Sequence, residues 1–295
     1  MLARRLVAAL AASSAVLAAG AVATGAAVSA PRVAQLMPVL GTEDYSPGPV
    51  RVSFLLLDSQ GAPVYRKDVR VRVSAGKGKP QLAVVRASLE PVGVPGVDVD
   101  TGELNRLYVV HFRVPRAGTY TLAADATGGR PIRAVWTIDV RTTPRAPAVG
   151  SRAIPSKTPT VASAHGDLRA LTTRTPPDTK LLLYSVAGSL AAHKPFVLVF
   201  ATPKFCTSRT CGPVVDVVDA VRKQFTDKGV RFIHVEVYKD NNPGLGYNQW
   251  VKQWHLPSEP WTFLVGRDGR IKGRFEGSVS VGELAAAVRR GLLAK

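Results

Sequence analysis

Two cysteines, Cys206 and Cys211, are the residues of this 295-residue chain whose type and spacing point most directly to chemistry. They are its only cysteines and lie in Lys204-Phe205-Cys206-Thr207-Ser208-Arg209-Thr210-Cys211-Gly212-Pro213. Thiols this close can cycle between dithiol and disulfide. Two thiols alone cannot complete a four-ligand structural zinc site, and no histidine sits at finger spacing, so neither a metal nor a cofactor is expected. On an unbroken helix an i, i+5 pair points to different faces, so at least one sulfur must lie off the helix for the two to bond. A disulfide closing so short a loop stabilises only modestly, which favours redox use over stapling. Pro213 suits a first helical turn. That places Cys211, Gly212 and Pro213 at a helix N-terminus, where unpaired amides and the dipole favour a thiolate. Cys211 is therefore expected to be the acidic thiol and Cys206, in the preceding loop, the accessible one.

The elements that must position this pair can be read from periodicity. Residues 181–193 suit a helix stopped by Lys194-Pro195, and 196–200 (Phe-Val-Leu-Val-Phe) form a continuous apolar run, as in a central strand covered on both faces. Val214, Val215, Val217, Val218, Val221 and Phe225 fall on one helical stripe after the cysteines. Gly229 ends that helix; 230–237 reads as a strand, 247–254 as a helix and 261–265 as a strand following Pro260. Arg267-Asp268-Gly269 turns the chain into 271–275 as a hairpin, and 281–293 is a closing helix. After the first helix the order is β-α-β-α-β-β-α, with parallel strands first and an antiparallel hairpin last.

That order, with an apolar strand running into Phe205-Cys206 and then Cys211-Gly212-Pro213 at a helix start, resembles the thioredoxin superfamily over residues 176–295. The resemblance implies an α/β thioredoxin-like fold and a thiol–disulfide oxidoreductase with Cys206 and Cys211 as its catalytic pair. Family members carry C-x2-C; here the spacing is C-x4-C, and two registers remain open. One places Cys211 on the family's nucleophile with Val214 where the resolving cysteine belongs. The other places Cys206 there, with 207–210 as a widened loop. Pro260 matches the family's cis-proline, so Glu259 and Phe205 are expected to face a bound partner with it. The family's buried carboxylate is missing, with Val199 in its place, which leaves the general base unassigned. Three further readings compete. The segment also looks like the C-x4-C peroxiredoxins of the bacterioferritin-comigratory type, although Pro203 stands where that family has a threonine or serine. A Sco-type copper chaperone would need C-x3-C and a distant histidine, for which His255 is the candidate. A non-catalytic thioredoxin-like binding module with a structural disulfide is the last. His234, inside an apolar strand, reads as a core residue, and Lys204 and Arg209 flank the thiols.

Upstream the pattern changes. Short alternating runs at 50–58, 69–74, 82–89, 107–114, 119–124 and 132–140, separated by Gly and Pro turns, predict an all-β sandwich over 45–141. The corner at 114–120 resembles immunoglobulin-like bacterial modules and makes Tyr120 structural. The module holds no cysteine, and His111 is its only histidine, so it is expected to space, dock or bind. Residues 142–165, with Pro144, Pro147, Pro155 and Pro159, predict an extended linker. The chain is thus expected to have two domains.

Arg4-Arg5, the apolar run over 6–30 and its Ala27-Val28-Ser29-Ala30 end read as an export signal, with a retained membrane anchor through 6–30 as the alternative. The expected location is extracellular or in the cell envelope. The formal charge of +18 is spread evenly over both halves with no basic block, which suits a solvated surface and not nucleic acid. Protein thiols or disulfides of the envelope are the expected partners.

Overall fold

In chain order the strands of the N-terminal half are β1 (Ala34–Gln35), β2 (Met37–Leu40), β3 (Gly48–Leu57), β4 (Val69–Ser74), β5 (Gln81–Arg86), β6 (Ser88–Pro91), β7 (Arg106–Val114), β8 (Gly118–Ala126) and β9 (Ile132–Val140). They are seen in a computed structural model describing residues 33–97, 104–126 and 130–294, so the proposed export signal lies outside the described residues. Strict alternation builds the sheets. In β4, Val69, Val71 and Val73 are buried while Arg70 and Arg72 face out. In β9, Ile132, Ala134, Trp136, Ile138 and Val140 all point inward. One sheet runs β1-β9-β8-β4-β5 and the other β2-β3-β7-β6. Their inner faces share one core, in which Phe54 packs on Trp136 at 4.8 Å and on Tyr108 at 5.4 Å between ring centroids. The run over 82–89, expected as one strand, is two. Ala87 is buried, its amide bonds the Val69 carbonyl, and the chain passes there from one sheet to the other.

The C-terminal half adds α1 (Val186–Ala191), β10 (Phe196–Phe200), α2 (Cys211–Gln224), β11 (Arg231–Val235), α3 (Gln249–Gln253), β12 (Trp261–Val265), β13 (Ile271–Glu276) and α4 (Val281–Val288). Its sheet runs β11-β10-β12-β13, with β10 parallel to β11 and the other pairs antiparallel. The apolar run of β10 is buried throughout because both its faces are covered. Val197 and Val199 join a core with α2 and α4, whereas Phe196, Leu198 and Phe200 join another with Val186, Val251 and Trp254. The first helix is shorter than 181–193. Ser185 caps Gly188 and starts α1 only at Val186, after a separate single turn at Thr179–Leu181.

Residues 142–165, expected as a linker, hold no regular element but are packed against the C-terminal sheet. Ala146 and Ala153 are buried in its core. Gly150 and Ala153 donate to the carbonyls of Ile271 and Gly269, and Ser156 accepts from Trp254 Nε1 at 3.0 Å. Proline-rich composition reports missing ladders, not missing contacts. The described residues belong to a single compact unit, Arg32–Lys295. A buried ionic contact joins its halves: Arg274 pairs with Asp44 at 3.0 Å, and Asp44 also accepts from the amides of Arg145 and Ala146. Glu276 accepts from the amides of Glu43 and Asp44 at 2.8 and 2.9 Å.

Candidate functional site

The C-terminal end of β10 delivers the chain into the loop that carries Cys206, and α2 starts at Cys211 itself. The Thr210 side chain, at the N-cap, makes no capping hydrogen bond; its hydroxyl is bonded to Ser208 at 2.8 Å. The Cys206 sulfur takes that place, accepting from the Cys211 amide at 3.3 Å. Ser208 Oγ lies 3.2 Å from the same sulfur. Cys211, the first residue of α2, turns its own side chain inward, where it is fully buried among Val214, Val215 and Leu284.

This geometry reverses the expected assignment of the two thiols. Free amides at a helix N-terminus point away from the helix, into the preceding loop. The sulfur they meet is that of Cys206. The Cys211 thiol hydrogen-bonds Cys206, and with Ser208 and the amides of Cys211 and Thr210 it outweighs partial burial and brings the Cys206 pKa down to about 5. Burial pushes the Cys211 thiol far up, and the neighbouring Cys206 adds to that shift. Cys206 is therefore the acidic, half-buried sulfur and Cys211 the protonated, buried one. Both are free thiols.

Glu259 and Pro260 lie on the segment that leads into β12. Their peptide bond is cis, and Pro260 is buried. The Glu259 carboxylate and the two sulfurs lie within 4.8 Å of one another. Burial first, and the Cys206 charge second, raise the Glu259 pKa to about 7. One of its oxygens accepts from the Tyr238 hydroxyl at 3.2 Å; the other, Oε2, is buried without a partner. Tyr238 stacks on Tyr247 at 5.6 Å, and Phe205 meets Tyr238 edge-on at 6.5 Å. Two thiols and one carboxylate converge here, one short of the four ligands a structural zinc site takes. Beside the cysteine loop opens a cavity of about 370 Å³, walled by Leu40, Phe54 and Leu107 of the sandwich and by Ser208, Thr210 and Glu259 of the site.

The other candidates lie apart from this group. His234 is buried in β11, with Nε2 3.0 Å from the Ala201 carbonyl, a core role as expected. His255 is exposed and outside the cluster, so the copper-chaperone geometry is not assembled among the described residues. Lys204 lies over the Phe205 ring at 5.3 Å, and Arg209 is exposed with a positive φ of 57°. Tyr238, Tyr247 and Ser208 were not singled out from the sequence. The two tyrosines flank a loop joined by a bridge between them, which no local pattern announces.

No protein-family model matches the chain, and no curated protein does. Among solved structures it is similar to a thiol:disulfide interchange protein of the thioredoxin family from Chlorobium tepidum TLS. That likeness has 16% identity and a TM-score of 0.30, and covers 52% of this chain and 98% of that one. A bacterial hydrophobin, BslA, is similar at 13% identity and a TM-score of 0.19, covering 37% of this chain and 99% of that one. At these scores the fold reading stands on strand order and pairing alone.

Proposed function

We propose that the chain is a thioredoxin-like thiol–disulfide oxidoreductase in which Cys206 is the attacking thiolate and Cys211 the resolving thiol. One observation carries the reading: the half-buried Cys206 sulfur accepts from the amide that starts α2 and stands next to the fully buried Cys211, an arrangement that lowers the first thiol's pKa and raises the second's. The first can attack a disulfide at neutral pH, and the second can displace the product from it. Strand order β11-β10-β12-β13, with its parallel first pair, supports the thioredoxin-like fold. Glu259 beside the two sulfurs, and Phe205 edge-on to Tyr238 next to them, support Phe205, Glu259 and Pro260 as the face that meets a partner.

The sandwich is read as immunoglobulin-like. The Tyr120 hydroxyl donating to the Arg116 carbonyl at 2.8 Å supports this, as that contact forms the corner seen in such modules. Partners are taken to be protein thiols or disulfides of the cell envelope, reached by export through residues 1–30. Mass analysis of the mature N-terminus tests export; an intact Met1 would replace secretion with an anchor.

The reduction potential of the Cys206–Cys211 pair in the full chain tests the activity. An oxidoreductase should lie above about −300 mV, whereas a value well below it identifies a structural bond and a binding module.

A further inference from the structure

Resolution of a mixed disulfide needs a thiolate, and the resolving sulfur here is the one least able to supply it. Cys211 is fully buried, and burial holds its proton in place. Val199 occupies the position where the family resemblance would put a carboxylate base, and it is buried in the apolar core. A base must come from elsewhere or the second step stalls.

We propose that Glu259, presented by the segment that enters β12, is the proton acceptor for Cys211. This rests on the oxidoreductase reading of the pair. Its carboxylate lies within 4.8 Å of both sulfurs. Tyr238 holds Oε1 and leaves Oε2 buried and unpartnered, so the group is oriented with one oxygen free. An unpaired buried carboxylate oxygen costs stability and persists where something else requires it. Other groups in the neighbourhood do not compete. Glu236 also has one buried oxygen without a partner, but its other is bound to Thr173 and it stands outside the group formed by the two sulfurs and Glu259; Tyr238 is pushed up to about 12 by burial, and the Tyr247 phenol is raised as well. Across the cavity Glu276 is held by two amides and Ser258, and Glu43 lines the same wall.

The step balances as follows. Cys206 thiolate attacks a disulfide R–S–S–R, forming Cys206–S–S–R and releasing one R–S⁻. Cys211–SH then gives its proton to the Glu259 carboxylate as its sulfur attacks Cys206 Sγ. The Cys206–Cys211 bond forms, the Cys206–S–R bond breaks, and the second R–S⁻ leaves with the electron pair. The substrate disulfide is reduced and the cysteine pair oxidised. Charge supplies the timing. While Cys206 is a thiolate it raises the Glu259 pKa, so the carboxyl tends to hold its proton. Once Cys206 is tied up in the mixed disulfide that repulsion is gone, and Glu259 becomes a carboxylate when a base is needed.

Stopped-flow reaction of the reduced full-length protein with dithiobis-nitrobenzoate separates the steps. One equivalent of coloured thiolate marks attack by Cys206 and the second marks resolution by Cys211. Glu259→Gln should slow the second phase relative to the first by about 100-fold or more. In the wild type the second phase should rise with pH through a midpoint at or below about 7 and then level off; Glu259→Gln should lose that rise and Glu259→Asp should keep it. A merely structural role would not move the profile in this way. If Glu259→Gln shows the wild-type ratio of phases and the wild-type profile, the inference is overturned while the oxidoreductase stands. If the wild type shows no first phase, both fall.

Discussion

Replacing Cys211 by alanine removes one hydrogen-bond donor from the Cys206 sulfur and leaves the backbone of α2 in place. The largest single contribution to the acidity of Cys206 is the hydrogen bond from the Cys211 thiol; Ser208 and the amides of Cys211 and Thr210 follow. A hydrogen bond to a charged acceptor is worth about 1.5–3 kcal/mol, and one pKa unit is about 1.4 kcal/mol. Loss of the thiol should therefore lift the Cys206 midpoint by about one to two units, from about 5 to about 6–7, with the remaining donors keeping it below an ordinary thiol. Cys211→Ser, which keeps a donor, should shift it less. The assay is the rate of iodoacetamide alkylation between about pH 4 and pH 9, following the thiolate directly. In the wild type Cys206 should label at pH 6 close to its full rate. In Cys206→Ser the remaining Cys211 should stay unlabelled until the protein is denatured. A wild-type midpoint near the ordinary thiol value of about 8.5 would refute the reasoning, as would a midpoint unmoved by Cys211→Ala.

Glu259 has a folded pKa raised by burial, so the stability it contributes is present below its unfolded value of about 4.3 and is lost as pH rises through about 7. Glu259→Gln should thus gain about 1–3 kcal/mol over the wild type at pH 8 compared with pH 5, read from urea unfolding; a difference independent of pH would contradict this. Asp44→Ala strands the largely buried Arg274 and two amides, and should cost about 3 kcal/mol or more in the same measurement. Gly277 has a φ of +68°, and a Cβ there would run into the Gly41 carbonyl oxygen, so Gly277→Ala should lower Tm by several degrees; an unchanged Tm would mean that this crossing can move apart.

Much of the fold was legible because its signals are local. The alternation of Val69, Val71 and Val73 and the unbroken apolar β10 each name a burial pattern directly. The cysteine loop stood out by residue type, and Glu259 and Pro260 only through the family resemblance. Which sulfur is acidic was not, because that depends on direction. Amides at the start of α2 point out to the loop, while the side chain at its first position falls inward, and sequence position alone records neither. The short strands β1 and β2 were missed because two and four residues are too few to show a period. The packing of residues 142–165 was missed because single side chains make it. Thr158 Oγ1 accepts from the Val186 amide at 3.0 Å, and Ser156 bonds Trp254, contacts that composition cannot reveal.

The sandwich bears on the chemistry through the segment that carries Glu259. Ser258 donates to Glu276 at 2.9 Å, and Glu276 is gripped by the amides of Glu43 and Asp44 from the other half. The Gly277 amide donates to the Pro260 carbonyl at 2.8 Å, and Gly41 closes over Gly277 where only a glycine fits. Glu259 is therefore bracketed on both sides by residues that the first sheet pair holds in register. A carboxylate that must stand within a few ångströms of two sulfurs needs such bracing, since small displacements of a reacting group cost large factors in rate. The same contacts place Leu40 and Phe54 on the wall of the cavity beside the cysteine loop. Positioning of the thiol site thus draws on both halves of the described unit, and loosening the Asp44–Arg274 contact should reach the sulfurs through Glu276 and Ser258.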